Sequence, residues 1–324
     1  MDPGNDVTDN ERQWFQETLT LLVENVSRVI FGKRPQIELA YIAMIARGHL
    51  LLEDYPGTGK TSLARAMAQS VGGSSSRIQF TPDLLPGDIT GVMVYDQAQG
   101  RFDYHVGPVF ANVVLADELN RASPKTQAAL LEVMEEGQVT VDAQTRPVGS
   151  PFIVIATQNP IEQAGTYRLP EAQLDRFLLK TSLGYPDTVS TLRLIENPRA
   201  SAPVLAPVVL SDQIVTMSKI ADKVYLAPAI ADYISRLVDA TRDAVQVRLG
   251  ASVRGAIGLA QVARVKAASQ GRPYVSPDDV KALAEPVLAH RMILDMEAEF
   301  DGLTTAQVVR QILLDVEPPK RGMG

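Results

Sequence analysis

The sequence predicts an α/β domain built on a parallel sheet and followed by a smaller helical domain. Three observations carry this. Short, mostly apolar segments at 50–52, 113–115, 152–156 and 177–183 alternate with stretches of helical spacing, the pattern of strands covered on both faces. Pro198, Pro203 and Pro207 crowd together just after Glu196, as in a linker. Beyond them every periodic segment reads as helix. The chain has 324 residues, more than the ~250–300 at which a single core stops growing. We therefore expect a flexible start at 1–12, an α/β domain at 13–200, a helical domain at 201–316 and a flexible end at 317–324.

Taken in order, residues 10–30 place Trp14, Leu19, Leu22, Val23, Val26 and Ile30 at helical spacing. A buried strand follows at 48–54, carrying Leu50, Leu51 and Leu52. Residues 60–70 read as a helix ended by Gly72 and Gly73. The strand at 113–115 closes on Asp117. Residues 124–136 have Pro in the first turn and Ala128, Leu131 and Met134 on one face. Two stretches read as hairpins between these core elements: 92–95 with 102–104 around Gly100, and 138–141 with 145–148 around a polar turn. After the linker, helices are expected at 211–223, 228–243, 253–270 and 277–290, the last opened by Ser276 as N-cap, Pro277 and two Asp.

Composition narrows the function classes. Hydrophobic residues make up 45% of the chain, enough for an ordinary packed interior. There is no cysteine, which excludes disulfides and thiolate metal sites and fits a reducing, cytoplasmic compartment. No apolar run approaches the ~20 residues of a membrane helix, and the polar, acidic start does not read as a secretory signal. A net charge of −7 argues against sequence-independent nucleic-acid binding, which rests on phosphate neutralisation. His49, His105 and His290 are scattered without metal-ligand spacing and read as structural or surface residues.

The strongest local signal is Pro56-Gly57-Thr58-Gly59-Lys60-Thr61, with Ser62 after it, between an expected strand and an expected helix. Gly57 and Gly59 allow a tight turn whose N–H groups converge on phosphates, and the helix adds its positive end. Lys60 can reach the β- and γ-phosphates, and the Thr61 hydroxyl suits Mg²⁺. The usual pattern has Gly where this chain has Asp54. A second signal is the apolar strand that ends in Asp117 and Glu118, two adjacent acids that are costly to bury without partners or work. Asp117 suits the Mg²⁺ shell and Glu118 the polarisation of an attacking water; Asp117 could also simply cap the next helix. The third is Asn159, at the end of the strand Ile155-Ala156-Thr157-Gln158, where an amide can bond both a water and a γ-phosphate; Asn-Pro is also a common turn.

In this order, the three elements resemble the AAA+ ATPases, with Asp117-Glu118 as Walker B and Asn159 as sensor 1. The run from Asp117-Glu118-Leu119-Asn120-Arg121 through Ser123-Pro124-Lys125-Thr126-Gln127 to Glu132-Val133-Met134-Glu135-Glu136 is similar to the MoxR family signature. So are Gly107-Pro108-Val109-Phe110 and Leu169-Pro170-Glu171-Ala172-Gln173-Leu174-Asp175-Arg176-Phe177. The resemblance runs from Ile30 to about Arg291. It implies a P-loop NTPase core on a parallel five-stranded sheet, an all-helical lid, ATP and Mg²⁺ as ligands, and hairpin insertions at the two places read above. It implies that Ile30, Phe31 and Gly32 line the adenine pocket. Arg176 falls at the arginine-finger position, which would reach the γ-phosphate of the next subunit; it could instead pair with Glu171 or Asp175. Arg254 falls at sensor 2, acting on its own nucleotide or a neighbour's. This chain has Val253 and Gly255 where the family commonly has Pro and Ala, and Arg168 where it has Pro, a possible second trans contact. Arg121 could face the interface or pair at a helix start.

The function implied is ATP hydrolysis at the interfaces of a ring, usually a hexamer, driving chaperone-like maturation or remodelling of client complexes, often with a partner bearing a von Willebrand factor A domain. A nucleic-acid motor related to the MCM helicases and a metal-chelatase-type motor subunit are the alternatives. A scaffold that binds ATP without turnover is disfavoured by the intact Lys60, Asp117, Glu118, Asn159 set.

Overall fold

The computed structural model describes residues 7–55, 57–159, 167, 169–196 and 205–319. Pro56, Arg168 and the linker residues Pro198 and Pro203 lie outside them.

Helix α1 (Asp9–Ser27) opens on a capping box between Thr8 and Glu11, so residues 9–12, expected as part of a flexible start, already belong to the helix. Glu11 also reaches Lys223, 2.9 Å away. Helix α2 (Arg34–Ile45) buries Ile37, Ala40, Tyr41, Ile42, Ala43, Met44 and Ile45. Strand β1 (Leu50–Glu53) leads through the phosphate loop into α3 (Lys60–Ser70). The edge strand β2 (Ser75–Gln79), the short α4 (Pro86–Thr90) and the hairpin β3 (Gly91–Asp96) with β4 (Arg101–Val106) follow. Next come β5 (Val113–Asp117), α5 (Pro124–Glu136), the second hairpin β6 (Gln138–Val141) with β7 (Gln144–Pro147), and β8 (Ile153–Gln158). Helix α6 (Glu171–Leu174), β9 (Leu179–Thr181) and α7 (Thr188–Glu196) complete the first domain.

The central sheet is five-stranded and parallel, in the order β2-β5-β8-β1-β9. Its period-two alternation divides the core. Leu50, Leu52, Val113, Leu115, Ile153 and Ile155 face α1–α3 and the second domain. Leu51, Val114, Ala116, Val154 and Ala156 face the layer containing α5. Because all strands run the same way, their carboxyl ends gather the phosphate loop, Asp117 and Asn159 on one edge, where open α/β sheets bind ligands.

The second domain contains α8 (Ser211–Lys223), α9 (Pro228–Asp243), β10 (Val247–Leu249), α10 (Val253–Ser269), α11 (Pro277–Leu288), β11 (Ile293–Leu294), α12 (Met296–Phe300) and α13 (Thr305–Asp315). The four helices expected there are present; the reading of helices alone is amended by the short antiparallel pair β10–β11. This domain shares one apolar cluster with α1 and α2 and is tied to them by Arg47–Asp222 at 2.7 Å and Lys266–Glu38 at 2.6 Å.

Candidate active site

The phosphate loop depends on backbone conformation. Gly57 (φ +83°) and Gly59 (φ +91°, the N-cap of α3) lie in the left-handed region. A Cβ at Gly57 would meet nothing within 4 Å, and one at Gly59 would meet Ile30 Cδ1 at 3.9 Å. The loop therefore has open space beside it, with the free N–H groups of α3 at its base. Lys60 Nζ lies across the loop, donating to the Asp54 and Tyr55 carbonyls at 3.4 and 3.3 Å. Thr58 is buried and donates to the Tyr55 carbonyl, whereas Thr61 and Ser62 are exposed at the start of the helix.

Ile30, Phe31 and Gly32 come to this same place. Ile30 is buried and Phe31 half-buried. Gly32 has φ +69°, and a Cβ there would sit 2.8 Å from Asp187 Oδ2 and 3.1 Å from Ser190 Oγ, so the segment passes tightly against the start of α7. Lys33 Nζ donates to the Tyr185 carbonyl at 2.7 Å, and the Tyr185 ring stacks on Tyr55 with centroids 5.7 Å apart.

Asp54, the departure from the usual glycine, is accounted for by three contacts. Its carboxylate, in a residue only 1% exposed, accepts from Ser182 Oγ (2.8 Å), Leu183 N (2.7 Å) and Gly184 N (2.8 Å). It fastens the start of the phosphate loop to the chain leaving β9.

The two acids end β5. Asp117 Oδ1 accepts from Thr157 Oγ1 at 2.7 Å and Oδ2 from Arg77 at 2.6 Å, so the carboxylate does not cap the next turn. Glu118 adopts φ 58°, ψ 46°, which swings its side chain off the strand axis. Its amide donates to Thr157 Oγ1 (2.9 Å), and its carboxylate accepts from Gln79 (2.8 Å) and Arg121 (3.0 Å). Thr157, buried on β8 beside Asn159, thus orients both acids. Arg121 pairs with Glu118 within the chain. Arg77 and Gln79 are functional candidates that the sequence reading missed. They sit two apart on β2, a polar edge strand without an apolar run; their shared face was the available signal.

The fit to nucleotide and metal rests on these groups. The left-handed glycines, the helix end and Lys60 fit a polyphosphate. The Asp117 carboxylate and the Thr61 hydroxyl are hard oxygens of the kind Mg²⁺ takes while keeping phosphate and water ligands. Among the described residues no group of three or more His, Asp or Glu could form an all-protein metal cage.

Arg176 and Arg254 lie elsewhere. Leu178 N bonds to the His49 carbonyl, which places residues 176–178 at the entrance of β1, the amino end of the sheet. The Met134 carbonyl accepts from buried His49 Nε2 at 2.9 Å, which puts the end of α5 at that same edge. There Glu135 pairs with Arg176 (3.0 Å) and Arg254 (2.6 Å). Arg176 pairs with neither Glu171 nor Asp175; Asp175 is taken by Arg291 at 2.7 Å and by the Ser252 hydroxyl at 2.9 Å. A strand of four or five residues, roughly 13–17 Å, separates these arginines from the chain's own phosphate loop.

Two histidines are structural, as expected. His49 accepts from Val154 N through Nδ1, so Nε2 carries the proton, and burial pushes it down to about 4. His290 bonds to the Phe177 carbonyl, and burial beside Arg291 also holds it well below its ordinary value.

Comparisons with known proteins converge on this description. The model of the ATPase family associated with various cellular activities (AAA) matches residues 49–179, and an AAA lid domain model matches 239–312. Chaperone MoxR1 of Mycobacterium tuberculosis is 41% identical, covering 94% of this chain and 83% of its own length. YeaC, an uncharacterized protein of Bacillus subtilis, is 48% identical over 92% of this chain and 93% of that one. The crystal structure of a candidate ATPase from Cytophaga hutchinsonii superposes with a TM-score of 0.89 at 39% identity, over 95% of this chain and 97% of that one. With its phosphate loop, paired acids, parallel sheet and helical lid, the chain belongs to the MoxR family of AAA+ ATPases.

Proposed function

We propose that this ATPase hydrolyses Mg·ATP at the interfaces of a hexameric ring and uses the resulting motion for chaperone-like maturation or remodelling of client protein complexes. The observation that carries this reading is the position of Arg176 and Arg254. Both stand at the amino edge of the sheet, paired with Glu135 and a strand's length from their own phosphate loop, a placement that supports service to a neighbour's nucleotide.

In the proposed site, Pro56 and Gly57–Ser62 cradle the phosphates, with Lys60 on the β- and γ-oxygens, while Ile30, Phe31 and Gly32 enclose the base. Thr61 and Asp117 hold Mg²⁺, which supplies neutralising charge on the phosphate oxygens. Glu118 accepts a proton from the attacking water as its oxygen bonds to the γ-phosphorus and the bridging bond to the β-phosphate breaks. Asn159 orients that water, and Arg176 and Arg254 of the adjacent copy stabilise charge on the departing phosphoryl group. Glu118 is held by Gln79 and Arg121, a contact it must loosen to meet the water.

The hairpin β3–β4 is the proposed client contact. It exposes Val94, Tyr95 and Phe102, with the two rings 5.1 Å apart, on a segment outside the apolar core. A partner with a von Willebrand factor A domain would be the adaptor, and the cytoplasm the setting. No helix among the described residues is long and apolar enough to cross a membrane. The test is the ATPase rate per chain against protein concentration. A shared site gives a rate that rises with concentration and is abolished in Arg176→Ala; a flat profile with full activity in that variant would remove the ring from the reading.

A further inference from the structure

The two arginines share one acid. Arg176 comes from the core and Arg254 from the first turn of α10 in the lid, yet both end on Glu135, one on each carboxylate oxygen, at 3.0 and 2.6 Å. The acid nearest in sequence to Arg176 is already engaged, since Asp175 holds Arg291 and Ser252. Two cations on one carboxylate leave the trio itself with a net positive charge, on a part-exposed face that opens onto a cavity of about 420 Å³ whose polar lining is Glu132, Glu135, Glu136, Gln173 and Arg176. Half-exposed ion pairs of this kind are weak. A multiply charged phosphate in a closed, water-poor interface is a stronger partner for guanidinium groups.

We propose that Glu135 is a placeholder for the neighbouring chain's terminal phosphate: it pairs with Arg176 and Arg254 until the interface closes, and then gives way to that phosphate. This rests on the reading that both arginines serve the adjacent copy. The Glu135 charge competes with that phosphate, so it raises the ATP concentration needed for assembly. Each pair is worth a factor of roughly two to five, so removing the charge should lower the ATP requirement about four- to twenty-fivefold.

The test measures the ATP concentration for half-maximal assembly by sedimentation velocity, in a Glu118→Gln background so that ATP is not consumed. Adding Glu135→Gln, which keeps the shape and removes the charge, is expected to lower that concentration about four- to twenty-fivefold. In chains that also carry Arg176→Ala and Arg254→Ala the same substitution should change nothing. If the arginine-free chain does not assemble, the comparison moves to Arg254→Ala alone, where the shift should be about half as large on a logarithmic scale. A merely structural Glu135 would shift every background alike; that result, or a raised ATP requirement, overturns the proposal. The shared-site reading fails separately: if Arg176→Ala and Arg254→Ala leave the ATP dependence intact while Lys60→Ala abolishes it, the arginines do not serve a neighbour, and the role of Glu135 falls with them.

Discussion

Asp54→Gly would restore the residue usual in this loop, and it should destabilise the protein. Substitutions toward a family's usual residue commonly add about 0.5–2 kcal/mol. Here the carboxylate is almost wholly buried and is the acceptor for Ser182 Oγ and for the amides of Leu183 and Gly184, all within 2.8 Å. Glycine leaves the buried Leu183 N–H without a partner and the Gly184 N–H half-met, at about 1–3 kcal/mol for each unmet buried donor, and adds chain entropy worth about 0.5–1 kcal/mol. The expected loss is about 3–5 kcal/mol. Asp54→Asn keeps one acceptor oxygen and should lose about 1–2 kcal/mol. Urea unfolding at neutral pH, with the m-value unchanged, reads both. The residues of the phosphate cradle are untouched, so ATP should still bind under native conditions. A change in Asp54→Gly smaller than about 0.5 kcal/mol would refute the view that this acid fastens the loop to the chain after β9.

Three further outcomes follow from contacts at or behind the site. His49 is neutral in the fold and pushed down to about 4 by burial, so the folded state binds fewer protons than the unfolded one between that value and the ordinary ~6.5. Its contribution is complete above that range and declines as pH falls, by about 2 kcal/mol at pH 5; His49→Gln should flatten the stability profile between pH 7 and 5, and an unchanged slope would contradict the assignment. Arg77→Ala leaves the mostly buried Asp117 with Thr157 alone, and should cost about 1 kcal/mol in chelator but less with Mg·ADP; equal losses in the two thermal scans would show that Arg77 and the metal do not share that oxygen. Gly32→Ala forces a Cβ against Asp187 and Ser190 at a left-handed φ, and should weaken nucleotide binding along with a stability loss of about 1–3 kcal/mol, which calorimetric titration and unfolding would reveal together.

Much of the catalytic edge is legible because its elements are local. The loop at 57–61, the acids after an apolar strand and the Asn after another each fit within a few residues, and the sheet brings them together as their order requires. What escapes has no local signature. Helix α2 lies between the sheet domain and the lid and is apolar nearly all round, so it has no stripe to read. Strand β2 is Ser-Ser-Arg-Ile-Gln, a polar edge with one buried residue, and with it Arg77 and Gln79 are missed. Asp54 looks like a defect in a motif until its partners, far along the chain, are seen. Glu135 reads as an ordinary helix-face acid, because its two arginines come from the core and from the lid.

The most direct test of the shared site is complementation. Glu118→Gln chains keep their arginines but lack the group that activates water; Arg176→Ala chains keep a complete phosphate site but offer no arginine to a neighbour. Each alone should be nearly inactive while still binding ATP. When the two are mixed under assembling conditions, an Arg176→Ala chain receives Arg176 from a Glu118→Gln neighbour. ATPase activity should then appear, rising with the mixing ratio to a maximum near equal amounts. A mixture as inactive as its components, in rings shown to contain both chains, would contradict catalysis in trans.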